Sequence, residues 1–302
     1  MIRLGFVAGA GIYHAVEFSK MFNGLNEEFK SLDPYGGRPP MARIEGAKVV
    51  KVFDEDRKAA ENLSKFASVP EVANKLEDMY DDIDAVYIGD DLTLQQYKYA
   101  RPFIERRIPT FIDKPMADNY EAARELADLA GFKKCLLMSS SALKYAKETE
   151  EIRNGKKDIG DIVMACTTGP ADLRLARPFL FYGMHAVSLG HCHINKRAVE
   201  VVDVGERGRT VVRVKYIDGS ILTVMCPHGV PVRFRGLFQG TKGFHFAEVT
   251  DAGFFYSTML KDFVAMIEKG QQTFDLTQAL EVIQICCAAE ESVKTGRSVR
   301  LG

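Results

Sequence analysis

A lysine closes an apolar run of the sequence, where Asp113, Lys114 and a proline follow residues 109–112. Ligands of an open α/β sheet bind outside the carboxyl ends of its strands, so Lys114 is predicted to face a ligand. A desolvated lysine gives up its proton more readily than one in water, which makes Lys114 a candidate base. The alternative interpretation is a solvated loop lysine after an edge strand.

Two glycines, Gly9 and Gly11, follow the first apolar run and precede a helical segment. Bare backbone there lets a pyrophosphate approach the amide groups at a helix N-terminus, where the helix dipole favours anions. The motif is incomplete, because His14 occupies the third glycine position of GxGxxG. A tight strand–helix turn that binds no nucleotide is therefore the alternative.

The second predicted strand ends at Asp54, whose carboxylate is suited to accept hydrogen bonds from an adenosine ribose. A carboxylate at this point also repels a 2′-phosphate, so we expect NAD as the cofactor. Arg57 and Lys58 keep NADP as a second possibility. Asp54 is alternatively an N-cap of the following helix, with Asp56 an equal competitor for that role.

The first 145 residues alternate short apolar runs with amphipathic segments, the pattern of βα units around a parallel sheet. Between the first helix and the second strand, a segment rich in Pro and Gly predicts a long surface loop at 31–40. For the helix predicted at 118–131 we expect Asp118 as the N-cap, Glu121 at the capping-box position and Gly131 as the C-terminal stop. The predicted strands are 2–8, 47–53, 84–89, 108–112 and 135–139, and the predicted helices are 14–24, 55–66, 71–80, 93–106 and 118–131.

The later sequence is rich in β-formers and predicts an open, mostly antiparallel sheet. We therefore expect an α/β protein with an N-terminal Rossmann domain, residues 1–143, and a C-terminal α+β domain, residues 144–302. The strands of the second sheet are predicted at 159–169, 199–205, 209–217, 220–227 and 232–239, with a short one at 298–301, and its helices at 183–195, 256–269 and 276–295.

The composition excludes several classes of partner. The net charge of -1 offers no electrostatic footprint for nucleic acid or an anionic membrane. With 46% hydrophobic residues among 302, the composition is ordinary for a globular protein. The sequence shows neither a signal peptide nor a membrane span, and we expect a cytoplasmic protein. The six cysteines lack paired spacing, and His191-Cys192-His193 places alternate residues on opposite sides of a helix, so no metal is predicted.

Three motifs resemble those of the glucose-fructose oxidoreductase, inositol dehydrogenase and MocA family. The family's Glu-Lys-Pro motif appears as Asp113-Lys114-Pro115, its Gly-x-His signature as Gly183-Met184-His185, and its closing Thr-Gly-Arg as Thr295-Gly296-Arg297. The resemblance implies a nicotinamide cofactor held by the Rossmann domain and a small-molecule substrate. It also implies a homo-oligomer, dimer or tetramer, formed through the outer face of the C-terminal sheet.

The resemblance further implies a set of site residues. Arg174 and Arg177 are suited to clamp a carboxylate or phosphate, although salt bridges are the alternative for both. The predicted catalytic residues are Lys114 and His185; the cofactor-binding residues are Gly9, Gly11, His14, Asp54, Asp90, Asp113 and Lys114; the substrate-binding residues are Lys144, Tyr145, Arg174, Arg177, Tyr182 and His185.

The sequence departs from the family at Phe181, where an aspartate usually lies four residues before the histidine. His185 then lacks the neighbour that would stabilise its charged form, so Lys114 is the favoured base. The predicted function is NAD(P)-dependent oxidation of a secondary alcohol of a sugar, sugar acid or cyclitol. The alternatives are a non-redox dinucleotide-binding or sensing protein, and lyase- or hydrolase-type chemistry with tightly held NAD.

Overall fold

The computed structural model of the chain describes residues 1–90, 93–171 and 176–302. The chain divides into two compact units. The first contains residues 1–140 and 256–276, and the second contains residues 141–255 and 277–302. The first is built on a parallel sheet and the second on a mostly antiparallel one, so the predicted α/β class is confirmed.

The first unit contains a six-stranded parallel sheet in the order β3-β2-β1-β4-β5-β6. The strand order reverses between β1 and β4, which opens a crevice at their carboxyl ends. Strands β4 and β5 are buried along their whole length, as expected for a parallel sheet covered on both faces. The strands are β1 (Ile2–Val7), β2 (Ala47–Phe53), β3 (Glu71–Val72), β4 (Ala85–Ile88), β5 (Thr110–Ile112) and β6 (Leu137–Met138), and the helices are α1 (Tyr13–Asn23), α2 (Arg57–Phe66), α3 (Gln96–Glu105) and α4 (Tyr120–Lys133).

The helix predicted at 71–80 is wrong. The segment instead forms the short edge strand β3, which pairs with β2, and then one turn of 3-10 helix, Leu76–Met79. The carboxylate of Asp78 accepts hydrogen bonds from the backbone N–H groups of Asn74 and Lys75. These side chain–backbone hydrogen bonds stabilise a turn at this point in place of a continuous helix.

The ends of α4 also differ from the prediction. Asn119 is the N-cap, because its side chain accepts a hydrogen bond from the backbone of Ala122. The helix passes through Gly131 and ends at Lys133, where Lys134 adopts the left-handed conformation. Asp118 therefore lies outside the helix and Gly131 is no stop signal.

The segment predicted as a surface loop is anchored to α1 by a buried ion cluster. A 3-10 helix, Glu27–Leu32, extends into its first two residues. Lys20 of α1 is fully buried and its Nζ lies 2.7 Å from carboxylate oxygens of both Glu17 and Asp33. A buried ammonium is tolerated only when it is paired in this way. The segment is therefore fixed against the first helix.

The second unit contains a seven-stranded sheet in the order β12-β11-β7-β10-β9-β8-β13. All neighbours are antiparallel except β7 and β10. The sequence did not predict β12. The strands are β7 (Ile162–Thr168), β8 (Ala198–Asp203), β9 (Arg209–Tyr216), β10 (Ile221–Pro227), β11 (Phe234–Gly240), β12 (Phe244–Val249) and β13 (Val299–Arg300), and the helices are α5 (Glu150–Arg153), α6 (Met184–Ile194), α7 (Ala252–Lys269) and α8 (Leu276–Thr295).

One face of this sheet is packed and the other carries exposed apolar side chains. Helix α6 packs against β7, β10 and β11, and buried residues alternate with exposed ones along β9 and β10. Residues paired across neighbouring strands share a face of the sheet, and so do alternate residues within one strand. The register of β7, β10, β11 and β12 therefore places five exposed side chains on the face opposite to α6. We call this set the open face: Met164, Met225, Leu237, Phe244 and Phe246.

Helix α7 runs from the second unit into the first, which contains its residues from Tyr256 onward. Within the first unit, Phe263 of α7 contacts Phe111 of β5 with ring centroids 5.4 Å apart. In the part of the chain that the structure describes, no helix is long and apolar enough to cross a membrane.

Candidate functional site

The two glycines after β1 have different structural roles. Gly9 has φ +70°, and a Cβ there would lie 2.3 Å from the carbonyl oxygen of Gly89. The turn and the close approach of the chain after β4 therefore require glycine at this position. A Cβ at Gly11 would meet the Ala59 Cβ at 3.6 Å, an ordinary contact. Packing inside the unit does not require glycine at position 11. The bare backbone of Gly11 instead lines a cavity.

That cavity has a volume of ≈ 340 Å³ and lies at the carboxyl ends of β1, β2 and β4. This is the position at which open α/β sheets bind ligands. Its described lining contains four carboxylates and no lysine or arginine. The lining residues are Ala8, Gly9, Gly11, Ile12, Asp54, Glu55, Asp56, Ala59, Asp90, Thr93, Gln95 and Tyr99.

Asp54 connects β2 to the glycine loop. Its Oδ2 accepts a hydrogen bond of 2.7 Å from the backbone N–H of Ala10, and its Oδ1 accepts one of 2.8 Å from Asp56. Burial raises the pKa of Asp54 above its ordinary value, although these two hydrogen bonds oppose the shift. Each carboxylate oxygen retains capacity for a further donor such as a ribose hydroxyl. The N-cap of α2 is Asp56, which accepts from Ala59.

Asp90 shapes the turn after β4. Its two carboxylate oxygens accept hydrogen bonds from the backbone N–H groups of Thr93 and Gln95, each at 2.9 Å, and one also accepts from the Thr93 hydroxyl. Arg57, considered above as a partner for a 2′-phosphate, forms an ion pair with Glu61 and donates to the carbonyl of Ala73. The residues around the cavity therefore fit a ribose diol better than a ribose phosphate.

A second polar cluster lies at the end of β5. Asp113 is 1% exposed, and its Oδ2 accepts hydrogen bonds from Tyr87 at 2.9 Å and from Nδ1 of His14 at 2.7 Å. Nε2 of His14 lies 3.1 Å from the hydroxyl oxygen of Tyr256. His14, predicted to line the cofactor site, thus reaches across from α1 to β5.

Charge in this cluster is set by competing effects. Burial by itself would raise the pKa of Asp113, but His14, Lys114 and Tyr87 outweigh it, so the pKa lies below the ordinary value. The backbone N–H of Lys114 donates to Asp113 Oδ1 at 2.9 Å. Lys114 itself is 3% exposed. The predicted base is therefore a buried amine that directly follows an ionised carboxylate.

His185 lies near the start of α6 in the second unit. Its Nδ1 is 2.7 Å from the hydroxyl oxygen of Ser141, a contact across 44 positions of sequence that no sequence pattern predicted. The rings of Tyr182 and Phe234 meet the imidazole edge to face, with centroids 5.4 Å and 5.6 Å away. Tyr182 and Phe234 in turn stack on each other at 6.1 Å. The hydroxyl of Ser141 and the two aromatic rings are thus among the groups that hold His185.

The remaining predicted substrate residues are placed as follows. Arg177 Nε lies 2.6 Å from Glu290 of α8, so the salt bridge considered for it from the sequence is present within its own unit. Lys144 and Tyr145 belong to a 3-10 helix, Ala142–Tyr145, in which Tyr145 is buried. Arg174 lies outside the described residues. A substrate role for these four residues stays a prediction.

In the His-Cys-His run on α6, His191 is buried, and Cys192 and His193 are half-buried. Nδ1 of His191 lies 3.2 Å from the Tyr216 hydroxyl oxygen. Burial lowers the pKa of His193 to about 3 and raises the pKa of the Cys192 thiol to about 12. All six cysteines are free, and the described ranges contain no group of three or more His, Cys, Asp or Glu side chains able to hold a metal ion.

Replacing Asp113 by Asn should change how the free energy of unfolding depends on pH. The lowered pKa of Asp113 in the folded state gives stability that is present above the unfolded value of about 3.9 and is lost as pH falls through the folded value. The variant should therefore lose less stability on acidification, and at neutral pH it should be about 1–3 kcal/mol less stable. Urea unfolding across this pH range measures both effects. Asp128→Asn, an exposed site on α4, is the control; equal acid sensitivity of both variants would contradict the assignment.

Comparison with known proteins agrees with this geometry. Residues 7–141 match the model of the GFO_IDH_MocA oxidoreductase family, NAD-binding Rossmann fold. No curated protein matches the sequence.

Solved structures with the same fold span both units. Myo-inositol dehydrogenase from Lactobacillus casei, with NAD(H) and myo-inositol, has a TM-score of 0.81 at 14% identity, covering 100% of this chain and 97% of that one. A myo-inositol dehydrogenase from Corynebacterium glutamicum has a TM-score of 0.80 at 17% identity, covering 100% and 99%. GenD2 from gentamicin A biosynthesis, in complex with NAD, has a TM-score of 0.79 at 18% identity, covering 100% and 97%. The family resemblance of the sequence is thus confirmed for residues 7–141, which match the GFO_IDH_MocA oxidoreductase family with its NAD-binding Rossmann fold.

Proposed function

We propose that the protein is an NAD-dependent dehydrogenase that oxidises a secondary alcohol of a sugar, sugar acid or cyclitol. The observation that carries the proposal is Lys114, a buried amine at the carboxyl end of β5 in the unit that holds the acidic cofactor cavity. The structural relatives support the substrate class, because two from Lactobacillus casei were crystallised with NAD(H) and either myo-inositol or scyllo-inositol.

Each residue has a defined task in this proposal. NAD, when bound, supplies the hydride acceptor. Lys114 takes the proton of the substrate hydroxyl, and a positioned base contributes about 10²–10⁴-fold to the rate. Asp113 holds the backbone of Lys114 through the hydrogen bond to its N–H. His185 of the second unit stays a predicted substrate-binding residue. Asp54 binds the adenosine ribose and disfavours a phosphate on it.

A second candidate is a dinucleotide-binding protein without net redox turnover. It is favoured by two observations: His185 contacts a serine hydroxyl at 2.7 Å, and Phe181 stands where the family has a carboxylate. The nucleotide released on denaturation of fresh protein, identified by mass spectrometry, distinguishes the two. Exchangeable NAD with substrate-dependent NADH indicates a dehydrogenase, whereas retained NAD without net reduction indicates the second candidate.

Replacing Lys114 by alanine should lower kcat by about 10²–10⁴-fold while NAD binding is largely retained, because only the proton acceptor is lost. Lys114→Arg should be as inactive, since a guanidinium does not release its proton in this pH range. Steady-state rates with a panel of polyols, together with calorimetric titration of NAD, measure both properties. Lys65→Ala, an exposed lysine of the same unit, is the control. Normal turnover of Lys114→Ala would refute this mechanism.

Replacing Asp54 by asparagine should weaken NAD binding by about 1.5–3 kcal/mol, because a charge-assisted hydrogen bond to the ribose is lost. Binding of NADP should weaken less, or improve, since the repulsion of its 2′-phosphate is removed. Asp56→Asn is a closely matched control, because asparagine still caps α2 and the change in charge is the same. Calorimetric titration with NAD and NADP gives the four dissociation constants; identical effects of the two substitutions would exclude a specific role for Asp54.

The open face supports a further proposal, a homo-oligomer formed through the second sheet. Its Phe244 and Phe246 are 61% and 56% exposed, and contiguous apolar surface of this kind marks interaction sites. Phe246→Glu should therefore shift the protein towards monomer in sedimentation-velocity experiments. Phe132→Glu introduces the same change at an 82% exposed phenylalanine of the first unit and should not. A monomeric wild-type protein would contradict the proposal.

A further inference from the structure

We infer that Tyr35, in the segment 31–40, is a positioning residue for the cofactor: it holds the backbone of the glycine loop, residues 9–12, in the conformation that receives the pyrophosphate. The inference rests on the proposed function for the identity of the ligand. Its structural basis is a series of contacts within the first unit, which connect the interior of α1 to the segment and the segment to Gly11.

Asp33 anchors the segment, and its side chain is fully buried. One carboxylate oxygen forms the ion pair with Lys20, and the other accepts a hydrogen bond of 2.8 Å from the backbone N–H of Tyr35. Nζ of Lys20 also donates to the carbonyl oxygen of Arg38 at 3.2 Å. Tyr35 therefore lies between two points at which the segment is tied to a buried ammonium group.

The side chain of Tyr35 reaches the start of the same helix. Its ring meets the ring of Tyr13, the first residue of α1, edge to face with centroids 5.1 Å apart. Its hydroxyl donates to the carbonyl oxygen of Gly11 at 3.4 Å, a long and therefore weak hydrogen bond. Edge-to-face aromatic pairs contribute stability beyond their buried area. The segment thus contacts α1 both in its middle and at its start.

The hydroxyl of Tyr35 completes a set of restraints on the glycine loop. The peptide group between Gly11 and Ile12 donates its N–H to the carbonyl oxygen of Gly9 at 2.8 Å, and its own carbonyl accepts from Tyr35. The peptide group that follows Gly9 donates its N–H to Asp54 at 2.7 Å. The N–H of Gly11 belongs to the peptide group between these two, so both of its neighbours in the backbone are restrained.

Restraint of this loop before binding should favour an anionic ligand. Glycine loses more conformational freedom on ordering than any other residue, and a loop that is already ordered does not lose that freedom when the ligand binds. Tyr35 acts here through the backbone of Gly11. We therefore expect Tyr35 to strengthen binding of the pyrophosphate and to leave the contacts of the adenosine unchanged.

Two probes separate these parts of the cofactor, because ADP-ribose contains the pyrophosphate and adenosine lacks it. Tyr35→Phe removes only the hydroxyl and should weaken ADP-ribose binding about 2- to 5-fold, the lower part of the range for a hydrogen bond. Tyr35→Ala also removes the ring contact and should weaken it about 10-fold. Adenosine binding, followed by NMR titration, should not change in either variant, whereas Asp54→Asn should weaken binding of both probes.

Tyr80→Phe is the matched control. The ring of Tyr80 meets that of Phe103 edge to face with the same centroid distance of 5.1 Å, and Tyr80 is not a lining residue of the cofactor cavity. This variant should bind both probes as the wild-type protein does. In steady-state kinetics, Tyr35→Phe should raise KM for NAD and leave kcat unchanged, because the restraint acts equally in the ground state and the transition state.

The outcomes that contradict the inference are distinct from those that contradict the proposed function. Wild-type affinity for ADP-ribose in Tyr35→Ala would overturn the inference, as would equal weakening of ADP-ribose and adenosine. Either result leaves the dehydrogenase proposal intact. A wild-type protein that binds neither probe would refute the proposed function and the inference with it. Tyr35→Phe retains the ring, so the test does not depend on the folding of Tyr35→Ala.

Discussion

The ionised carboxylate of Asp113 is the constraint on which the N-terminal site depends. A buried charge is costly unless it is paired and hydrogen-bonded, and Asp113 meets this condition with donors from three parts of the unit. Tyr87 reaches it from β4, His14 from α1 and the backbone of Lys114 from the segment after β5. Because the three donors converge on one group, the start of α1 and the ends of β4 and β5 are fixed together, and Lys114 is placed with them.

The same carboxylate explains why the glycine motif is incomplete. In a GxGxxG loop the third glycine allows close packing of helix and sheet. Here that position holds His14, whose ring stacks on Phe18 at 5.3 Å and whose Nδ1 is taken by Asp113. The departure from the motif is thus one half of a buried pair. The glycine loop keeps a second anchor in Asp54, which binds the backbone N–H of Ala10.

Much of this architecture was predictable because it follows from short-range patterns. Alternating apolar runs located the strands of the parallel sheet, and residue types at strand ends located Asp54 and Lys114. The errors arose where long-range pairing decides. Residues 71 and 72 form a strand because β2 offers an edge, and β12 exists because β11 pairs with it. The contact of Ser141 with His185 joins positions separated by a chain of strand, turn and helix, and no periodicity of the sequence reports it.

The two histidines at the predicted sites show how a partner decides chemistry. In each, Nδ1 lies 2.7 Å from an oxygen, of Asp113 for His14 and of Ser141 for His185. The carboxylate only accepts and therefore keeps a proton on Nδ1 of His14, whereas the hydroxyl of Ser141, which accepts from Leu143, both accepts and donates and so imposes no single tautomer on His185. The carboxylate lies with the buried lysine in the first unit, and the hydroxyl lies with the aromatic rings in the second. The carboxylate therefore fixes both the ring and the proton of His14, whereas the hydroxyl fixes the ring position of His185 and leaves its proton free to follow the other partners of the ring.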